Sequence, residues 1–160
     1  MKQVRIGLIG LGFMGTTHLG IYRGLPTAQV VAIADGNAAK RAGDIRAVIG
    51  IIGGGDNSKP LDLSGIAVYA DARELIARPD LDIVDICCPT PDHARYVLAA
   101  LAAGRNVMCE KPLCRNRQEM LAIRDAATAA KSAFNVGMCI RAWPEYAHFS
   151  ALYRSGALGK

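Results

Sequence analysis

Short apolar runs alternate with longer stretches of helical periodicity along most of this chain. Near-continuous apolar runs are typical of strands that are covered on both faces, as in a parallel sheet. They predict strands at residues 4–10, 30–35, 66–69, 83–88, 106–109 and 134–138. Residues 93–104 and 117–130 instead place Ala, Leu, Ile and Met at three- and four-residue spacing, the pattern of an amphipathic helix. The repeated alternation predicts an α/β fold with a doubly wound parallel sheet.

Length and composition narrow the class of protein. The chain of 160 residues is long enough to bury the core of one domain. Its 51% hydrophobic and 21% charged residues are the composition of an ordinary soluble globular protein. The net charge is +5, but the 19 Lys and Arg residues are spread from Lys2 to Lys160. Because they form no basic run, we predict no nucleic-acid partner.

Neither a membrane nor an export pathway is indicated. No apolar stretch reaches the ~20 residues of a membrane span, and the N-terminal apolar run alternates and soon becomes rich in glycine, which favours a first strand over a signal peptide. The five cysteines contain no CxxC pair. Cys87, Cys88, Cys109 and Cys139 lie in or at the ends of predicted buried strands, where they suit small apolar side chains better than metal ligands or nucleophiles. We therefore expect no metal site, no membrane partner and a reducing, cytoplasmic location.

A glycine-rich stretch at residues 49–55 has the composition of a nucleotide-binding loop. No strong helix follows it, and the next residues favour turns, among them Asp56, Asn57, Ser58 and Pro60. We interpret the stretch as a surface excursion between the second helix and the third strand. A phosphate-binding loop is the alternative.

The first predicted strand runs directly into a turn in which Gly10, Gly12 and Gly15 have the G-x-G-x-x-G spacing. In dinucleotide-binding turns, the first glycine makes the tight turn, the second lets the backbone approach a pyrophosphate, and the third lets the helix pack close to the strand. The helix predicted for about residues 14–23 would aim its N-terminal amides at the phosphates. We predict that this turn binds a dinucleotide, and we include Phe13 and Met14 in it.

The second predicted strand ends at Asp35, twenty residues after Gly15. An acid at this distance can bind the diol of an adenosine ribose. Its charge would repel a 2′-phosphate, so we predict NAD as the cofactor, with NADP less favoured. Lys40 and Arg41 follow in the next helix and could soften that preference, or they could simply belong to a solvated helix surface.

The fourth predicted strand ends at Cys88, which Pro89 and Thr90 follow. In open α/β sheets, ligands bind outside the carboxyl ends of the strands at the point where the strand order reverses, here between the first and fourth strands. We predict that these three residues lie along the nicotinamide half of the cofactor. His93 is predicted in the first turn of the next helix beside the cofactor; a catalytic role for it is the less favoured alternative.

Glu110, Lys111 and Pro112 follow the fifth predicted strand, at the same edge of the sheet. By the same rule, Glu110 and Lys111 are predicted to lie next to the nicotinamide and to contact the cofactor. A lysine there can donate a hydrogen bond to a substrate oxygen and stabilise an alkoxide as hydride leaves the carbon, and Glu110 can orient it. Position alone leaves a second interpretation open, in which Glu110 and Lys111 form a surface ion pair beside a turn.

Three segments resemble the N-terminal domain of the Gfo/Idh/MocA oxidoreductases, the family of glucose–fructose oxidoreductase and inositol 2-dehydrogenase. They are GLGFMGTTH, PTPDHARYVLAALAAGRNVMCEKPL and GMCIRAWPEY. The resemblance implies a Rossmann domain followed by an open-faced β-sheet domain, and NAD(P)-dependent oxidation or reduction at a sugar or polyol carbon. It also implies that Lys111 is the catalytic lysine that contacts the substrate. Arg141, Trp143 and Pro144 would border the nicotinamide side.

Members of this family commonly run to more than twice this length, and the resemblance assigns their proton-handling Asp and His to the second domain. We therefore expect residues 1–150 to form the NAD(P)-binding domain and residues 151–160 to begin the linker to a substrate domain. This chain alone is then expected to be inactive, and a homo-oligomer is expected to assemble through the second domain. The alternative function is that of a non-catalytic NAD-binding module that senses the cofactor or partners another chain.

Overall fold

The computed structural model describes residues 3–49 and 58–159. Its parallel sheet has the strand order β3-β2-β1-β4-β5-β6, so the order reverses between β1 and β4. This is the predicted doubly wound α/β fold. The strands are β1 (Val4–Ile9), β2 (Ala28–Ala34), β3 (Ala67–Tyr69), β4 (Ile83–Ile86), β5 (Asn106–Cys109) and β6 (Phe134–Val136).

Helices follow the strands. They are α1 (Phe13–Gly24), α2 (Ala38–Arg41), α3 (Ala72–Ile76), α4 (His93–Ala102), α5 (Arg117–Ala129) and α6 (Pro144–Arg154). Short 3-10 turns, Thr90–Asp92 and Cys139–Ala142, precede α4 and α6. Among the described helices, none is both long and apolar enough to cross a membrane.

The core lies on both faces of the sheet, as near-continuous apolar strands require. On one face, Ile6 and Leu8 of β1 pack with Leu19 of α1. On the other face, side chains of β4 and β5 pack with residues of α3, α4 and α5, including Leu75, Val97 and Ile123. Because side chains alternate along β4, Val84 and Ile86 belong to this second face, and Asp85 points to the face that α1 covers.

Several strands end one or two residues before their predicted ends. The next residues still make one further ladder-like bond: the amides of Gly10, Cys87, Glu110 and Gly137 donate to carbonyl oxygens of neighbouring strands at 2.7–2.9 Å. The predicted and observed strands therefore differ only in the residue at which each strand is assigned to end. All four residues still lie at the carboxyl edge of the sheet.

The sequence patterns missed α3 and α6. Helix α3 is a short segment that Asp71 caps by accepting the amide of Arg73 at 2.9 Å. Helix α6 has no buried residue, so its apolar periodicity is weak. It spans the boundary expected near residue 150, and the first residues of the expected linker are therefore helical. The glycine-rich stretch at residues 49–55 lies, apart from Ile49, outside the described residues.

Candidate functional site

Two adjoining clefts open at the carboxyl edge of the sheet, where the strand order reverses. The first, of about 680 Å³, reaches past Asp35 towards Asp71, Arg73 and Tyr96. The second, of about 490 Å³, reaches from the glycine turn to Glu110 and Lys111. Both clefts share Gly10, Asp35, Gly36, Cys88 and Pro89. Together they form a continuous groove with a central wall and two ends, a shape suited to a ligand with two halves.

The glycine turn has the geometry that its spacing predicts. Gly10 has φ of +96°, and a Cβ there would lie 2.8 Å from the amide nitrogen of Cys88. A Cβ on Gly15 would lie 1.8 Å from the carbonyl oxygen of Gly10, so only glycine lets α1 approach the turn this closely. A Cβ on Gly12 would meet no atom of the described residues within 4 Å. Gly12 therefore faces open space, where a ligand can approach the backbone.

The N-terminus of α1 is open towards the groove. No side chain caps the helix at Gly12, and its first turn contains no acidic residue. Met14 lines the second cleft, whereas Phe13 and Gly15 line neither of the two clefts. Uncapped amides and the positive end of the helix dipole suit an anionic group such as a pyrophosphate.

Asp35 lies at the middle of the groove and is held by backbone amides. Its carboxylate accepts the amide of Leu11 at 2.7 Å and that of Asn37 at 2.8 Å. Arg41 donates to the carbonyl oxygens of Asp35 and Gly36 at 2.8 and 2.9 Å. Arg41 is thus anchored to the loop that carries Asp35, and it is not a simple solvated side chain. Lys40 lines the second cleft.

The loop after β4 forms the central wall through Cys88 and Pro89, with Thr90 in the second cleft. His93, which is only 1% exposed, lies behind this wall. Its ring nitrogens lie 2.8 Å from the carbonyl oxygens of Cys88 and Pro112. The ring thereby joins the loop after β4 to the loop after β5. Because both nitrogens contact protein, the geometry favours a bracing role over proton transfer.

From their positions in the sequence, Thr90 or Asp92 could cap α4, but the structure shows no such cap. Neither Thr90 nor Asp92 caps the helix with its side chain. Asp92 instead lies 3.1 Å from the guanidinium of Arg95, and a 3-10 turn leads into the helix.

The fifth strand ends in two charged side chains that point in different directions. Glu110 is 7% exposed, and its Oε2 accepts the main-chain amide of Lys111 at 3.1 Å. The Lys111 side chain is exposed and lines the second cleft, and the peptide bond to Pro112 is cis. Among the described residues, no ion pair joins Glu110 to the Lys111 ammonium. The surface-pair interpretation is therefore wrong, and Glu110 does not orient Lys111 through an ion pair.

A buried polar cluster lies beneath the end of β5, and no sequence motif predicted it. Asp85 of β4 is 0% exposed, and its Oδ2 lies 2.8 Å from Nδ1 of His18 and 2.9 Å from the Tyr22 hydroxyl. Because a carboxylate only accepts, both groups donate to it. Nε2 of His18 lies 3.5 Å from Oε1 of Glu110. The signal in the sequence was an acid in the middle of an otherwise apolar strand.

Electrostatics within this cluster favour a charged His18. Burial lowers the pKa of the ring, but the hydrogen bond and charge of Asp85 and the charge of Glu110 outweigh it, so the pKa lies above its ordinary value. Burial, followed by the charge of Asp85, raises the pKa of the Tyr22 hydroxyl and of the Cys87 thiol. Polar atoms of His18, Asp85 and Cys87 lie within 4.8 Å of one another. Since hydrogen bonds connect these atoms, we interpret the group as a hydrogen-bonded cluster.

Arg141 and Trp143 lie beyond β6, in and just after the second 3-10 turn. Both side chains are exposed, and neither lines the two clefts described above. Cys139, predicted at the end of a buried strand, is exposed as well. The structure thus brings together the residues predicted on the first, second, fourth and fifth strands, but it leaves these two outside the groove.

The reversal of strand order, the glycine turn after β1 and the acid after β2 define a dinucleotide-binding domain of the Rossmann type. The family model described as "Oxidoreductase family, NAD-binding Rossmann fold" (GFO_IDH_MocA) matches residues 4–138. The chain belongs to this family, as its segments suggested, and it forms the family's NAD-binding domain.

Known proteins resemble the chain over nearly its whole length. An inositol 2-dehydrogenase from Pseudomonas syringae pv. syringae is 35% identical to this chain, and the match covers 98% of this chain and 43% of the length of that protein. The crystal structure of a probable dehydrogenase from Thermotoga maritima has a TM-score of 0.80 at 27% identity, over 98% of this chain and 43% of that one. The structure of a levoglucosan dehydrogenase in complex with NADH and levoglucosan has a TM-score of 0.79 at 29% identity, over 99% of this chain and 41% of that one. The chain spans less than half the length of these relatives.

The glycine geometry separates ligand binding from folding. We expect Gly12→Ala to melt like the wild type and to bind NADH about tenfold or more weakly. Its Cβ would meet no atom within 4 Å in the described part of the chain, but it would enter the space offered to a ligand. We expect Gly15→Ala to lose about 1–3 kcal/mol of unfolding free energy, because its Cβ overlaps the Gly10 carbonyl. Thermal melts of both variants measure stability, and NADH fluorescence titrations measure affinity. Equal NADH affinity in Gly12→Ala would contradict the role of the turn.

Proposed function

We propose that this chain is the cofactor-binding part of an NAD-dependent dehydrogenase that transfers hydride between nicotinamide and a sugar or polyol carbon. The observation that carries the proposal is the position of Lys111. Its exposed side chain lines the same cleft as the glycine turn, at the end of the groove away from Asp71 and Arg73. Relatives named for inositol and levoglucosan support the substrate class.

The residues of the groove fit an NAD molecule bound along it. The pyrophosphate would lie over Gly12 and the uncapped end of α1, and the adenosine ribose would lie at Asp35. The adenine would enter the first cleft, and the nicotinamide would enter the second, beside Cys88, Pro89, Thr90 and His93. When bound, NAD accepts the hydride in such reactions.

Lys111 would act on the substrate. As hydride leaves a carbinol carbon, the hydroxyl proton must leave the oxygen, and the negative charge that develops there is stabilised by a nearby cationic donor. Lys111 has the required charge, and among the described residues no carboxylate forms an ion pair with its ammonium. The proton acceptor would come from a second domain, as the resemblance implies.

Helix α6 offers a surface for that second domain. Trp143, Tyr146, Phe149 and Tyr153 are each 48–71% exposed along it and just before it. Apolar side chains grouped in this way are typical of surfaces that another part of a protein covers. The proposal places the substrate domain over this face, where Arg141 and Trp143 would approach the nicotinamide end of the groove. A homo-oligomer formed through that domain is part of the same proposal.

We expect the chain to bind NADH more tightly than NADPH, because the Asp35 carboxylate opposes a 2′-phosphate. Asp35→Ala should shift the ratio of the two affinities towards NADPH by about tenfold or more. We compare the ratio of the two affinities, because losing the hydrogen bonds from the amides of Leu11 and Asn37 should weaken the binding of NADH and of NADPH alike. Calorimetric titration measures it, with Asp125→Ala on the exposed surface of α5 as the control. Tighter NADPH binding by the wild type would contradict the assignment.

We also expect the 160-residue chain to bind NADH without reducing NAD in the presence of polyols or aldoses. The groove supplies a cofactor site and one cationic donor, but the proposed proton acceptor lies elsewhere. Absorbance of NADH across a panel of these substrates measures turnover. Sustained turnover by the verified chain would show that the acceptor is within these residues.

In a chain extended to the length of its relatives, Lys111→Met should lower turnover by roughly 10²–10³ while leaving NAD affinity nearly unchanged. Methionine keeps most of the apolar stem, and an exposed lysine contributes little to stability, so the melting temperature should stay close to that of the wild type. Lys131→Met, an exposed lysine before β6, is the matched control. Near-normal turnover in Lys111→Met would favour the non-catalytic NAD-binding module.

A further inference from the structure

We propose that His18 is a positioning residue: its doubly protonated ring holds the Glu110 carboxylate beneath the tip of β5 and thereby shapes the nicotinamide half of the groove. The binding of the nicotinamide in that half then weakens as the pH rises and the ring loses a proton. This inference rests on the proposed function, because it assigns the second cleft to nicotinamide.

The ring of His18 connects three elements. It belongs to α1, one turn beyond the glycine loop, and it reaches the sheet between two neighbouring strands. Nδ1 lies 2.8 Å from Oδ2 of Asp85 on β4, and Nε2 lies 3.5 Å from Oε1 of Glu110 just after β5. Its side chain is only 14% exposed. The imidazole is therefore a bridge between two buried carboxylates.

Charge balance gives the bridge its strength. Asp85 and Glu110 are 0% and 7% exposed, and a buried carboxylate without a cation or donors is costly. Among the described residues, no Lys or Arg forms an ion pair with either of them. The other titratable groups that face the ring are Tyr22 on α1 and Cys87 after β4, and their raised pKa values keep both neutral. His18 is thus the cation that the two carboxylates share.

The direction of the pH effect follows from this arrangement. The pKa of His18 is raised in the folded chain, so its stabilisation is complete below the ordinary histidine pKa and is lost as the pH rises through the raised one. The proton on Nδ1 lies in the shorter contact, so Nε2 loses its proton first. An unprotonated Nε2 then directs a lone pair at the Glu110 carboxylate, and the bridge opens on the Glu110 side.

Release of Glu110 affects the wall of the second cleft directly. Oε2 of Glu110 accepts the amide of Lys111, and a Cβ built on Gly137 would lie 2.7 Å from Oε1. The carboxylate is therefore packed against the chain on both sides. When it moves, the Lys111 segment must move with it, whereas Asp35 and the glycine turn, which face the adenosine and pyrophosphate, keep their own hydrogen bonds.

The first test is an NMR titration of the imidazole signals, which is simple because the chain has only three histidines. His18→Gln and His148→Gln identify the signals. We expect the midpoint of His18 to lie above the ordinary histidine value, and to fall by about 1 pH unit or more in Glu110→Gln. A wild-type midpoint at or below the ordinary value, or no change in Glu110→Gln, would overturn the bridge.

The second test compares NADH with ADP-ribose, which lacks the nicotinamide. As the pH rises through the His18 midpoint, NADH affinity should fall about fivefold or more towards that of ADP-ribose, whose own affinity should stay constant. In His18→Gln the NADH affinity should be low at every pH, and in His148→Gln, a change on exposed α6, it should follow the wild type. A purely structural role for His18 would lower both affinities together.

The outcomes separate the two proposals. NADH binding with the same pH dependence as ADP-ribose would overturn the role of His18 and leave the proposed function intact. Absence of NADH binding at every pH would overturn the proposed function, and this inference with it. If His18→Gln does not fold, the wild-type comparison of NADH with ADP-ribose and the Glu110→Gln titration still decide the question.

Discussion

The close approach of α1 to the end of β1 is the constraint on which the site depends. A single Cβ at Gly15 would overlap the carbonyl oxygen of Gly10, so the helix can lie there only because residue 15 has no side chain. This contact fixes the axis of α1. It points the uncapped N-terminus at the groove, and one turn later it places His18 over β4 and the tip of β5. The part of the groove at the glycine turn and the part beneath Glu110 are thus both set by one helix.

The fold and the groove could be predicted from the sequence because their signals are local. Apolar runs gave the strands, glycine spacing gave the turn, and the rule that ligands lie at the carboxyl edge brought Asp35, Cys88 and Lys111 together. Helices α3 and α6 were missed because one is too short and the other too exposed to show an apolar period. The directions of adjacent side chains could not be predicted from the sequence. The positions of Glu110 and Lys111 left a surface ion pair open as an interpretation, but one side chain is buried and the other lines the cleft.

The buried cluster was missed for a different reason. Asp85, His18 and Glu110 are far apart along the chain, and no spacing rule relates a helix residue to two separate strands. Only an acid inside an apolar strand hinted at a partner, since a charge in that position must be compensated. The partner could be found only once the structure showed which helix covers that face of β4.

His93 has a consequence for how the two ends of the groove can vary independently. By holding the loops after β4 and β5 to each other, it braces the end of the groove at Lys111. The first cleft shares Cys88 and Pro89 with this braced part, but Asp35 and the Arg41 that anchors its loop follow β2 and take no part in the two contacts of His93. Exchanges in the loop after β2 could therefore alter cofactor preference, in evolution or by design, while the residues that His93 holds stay the same.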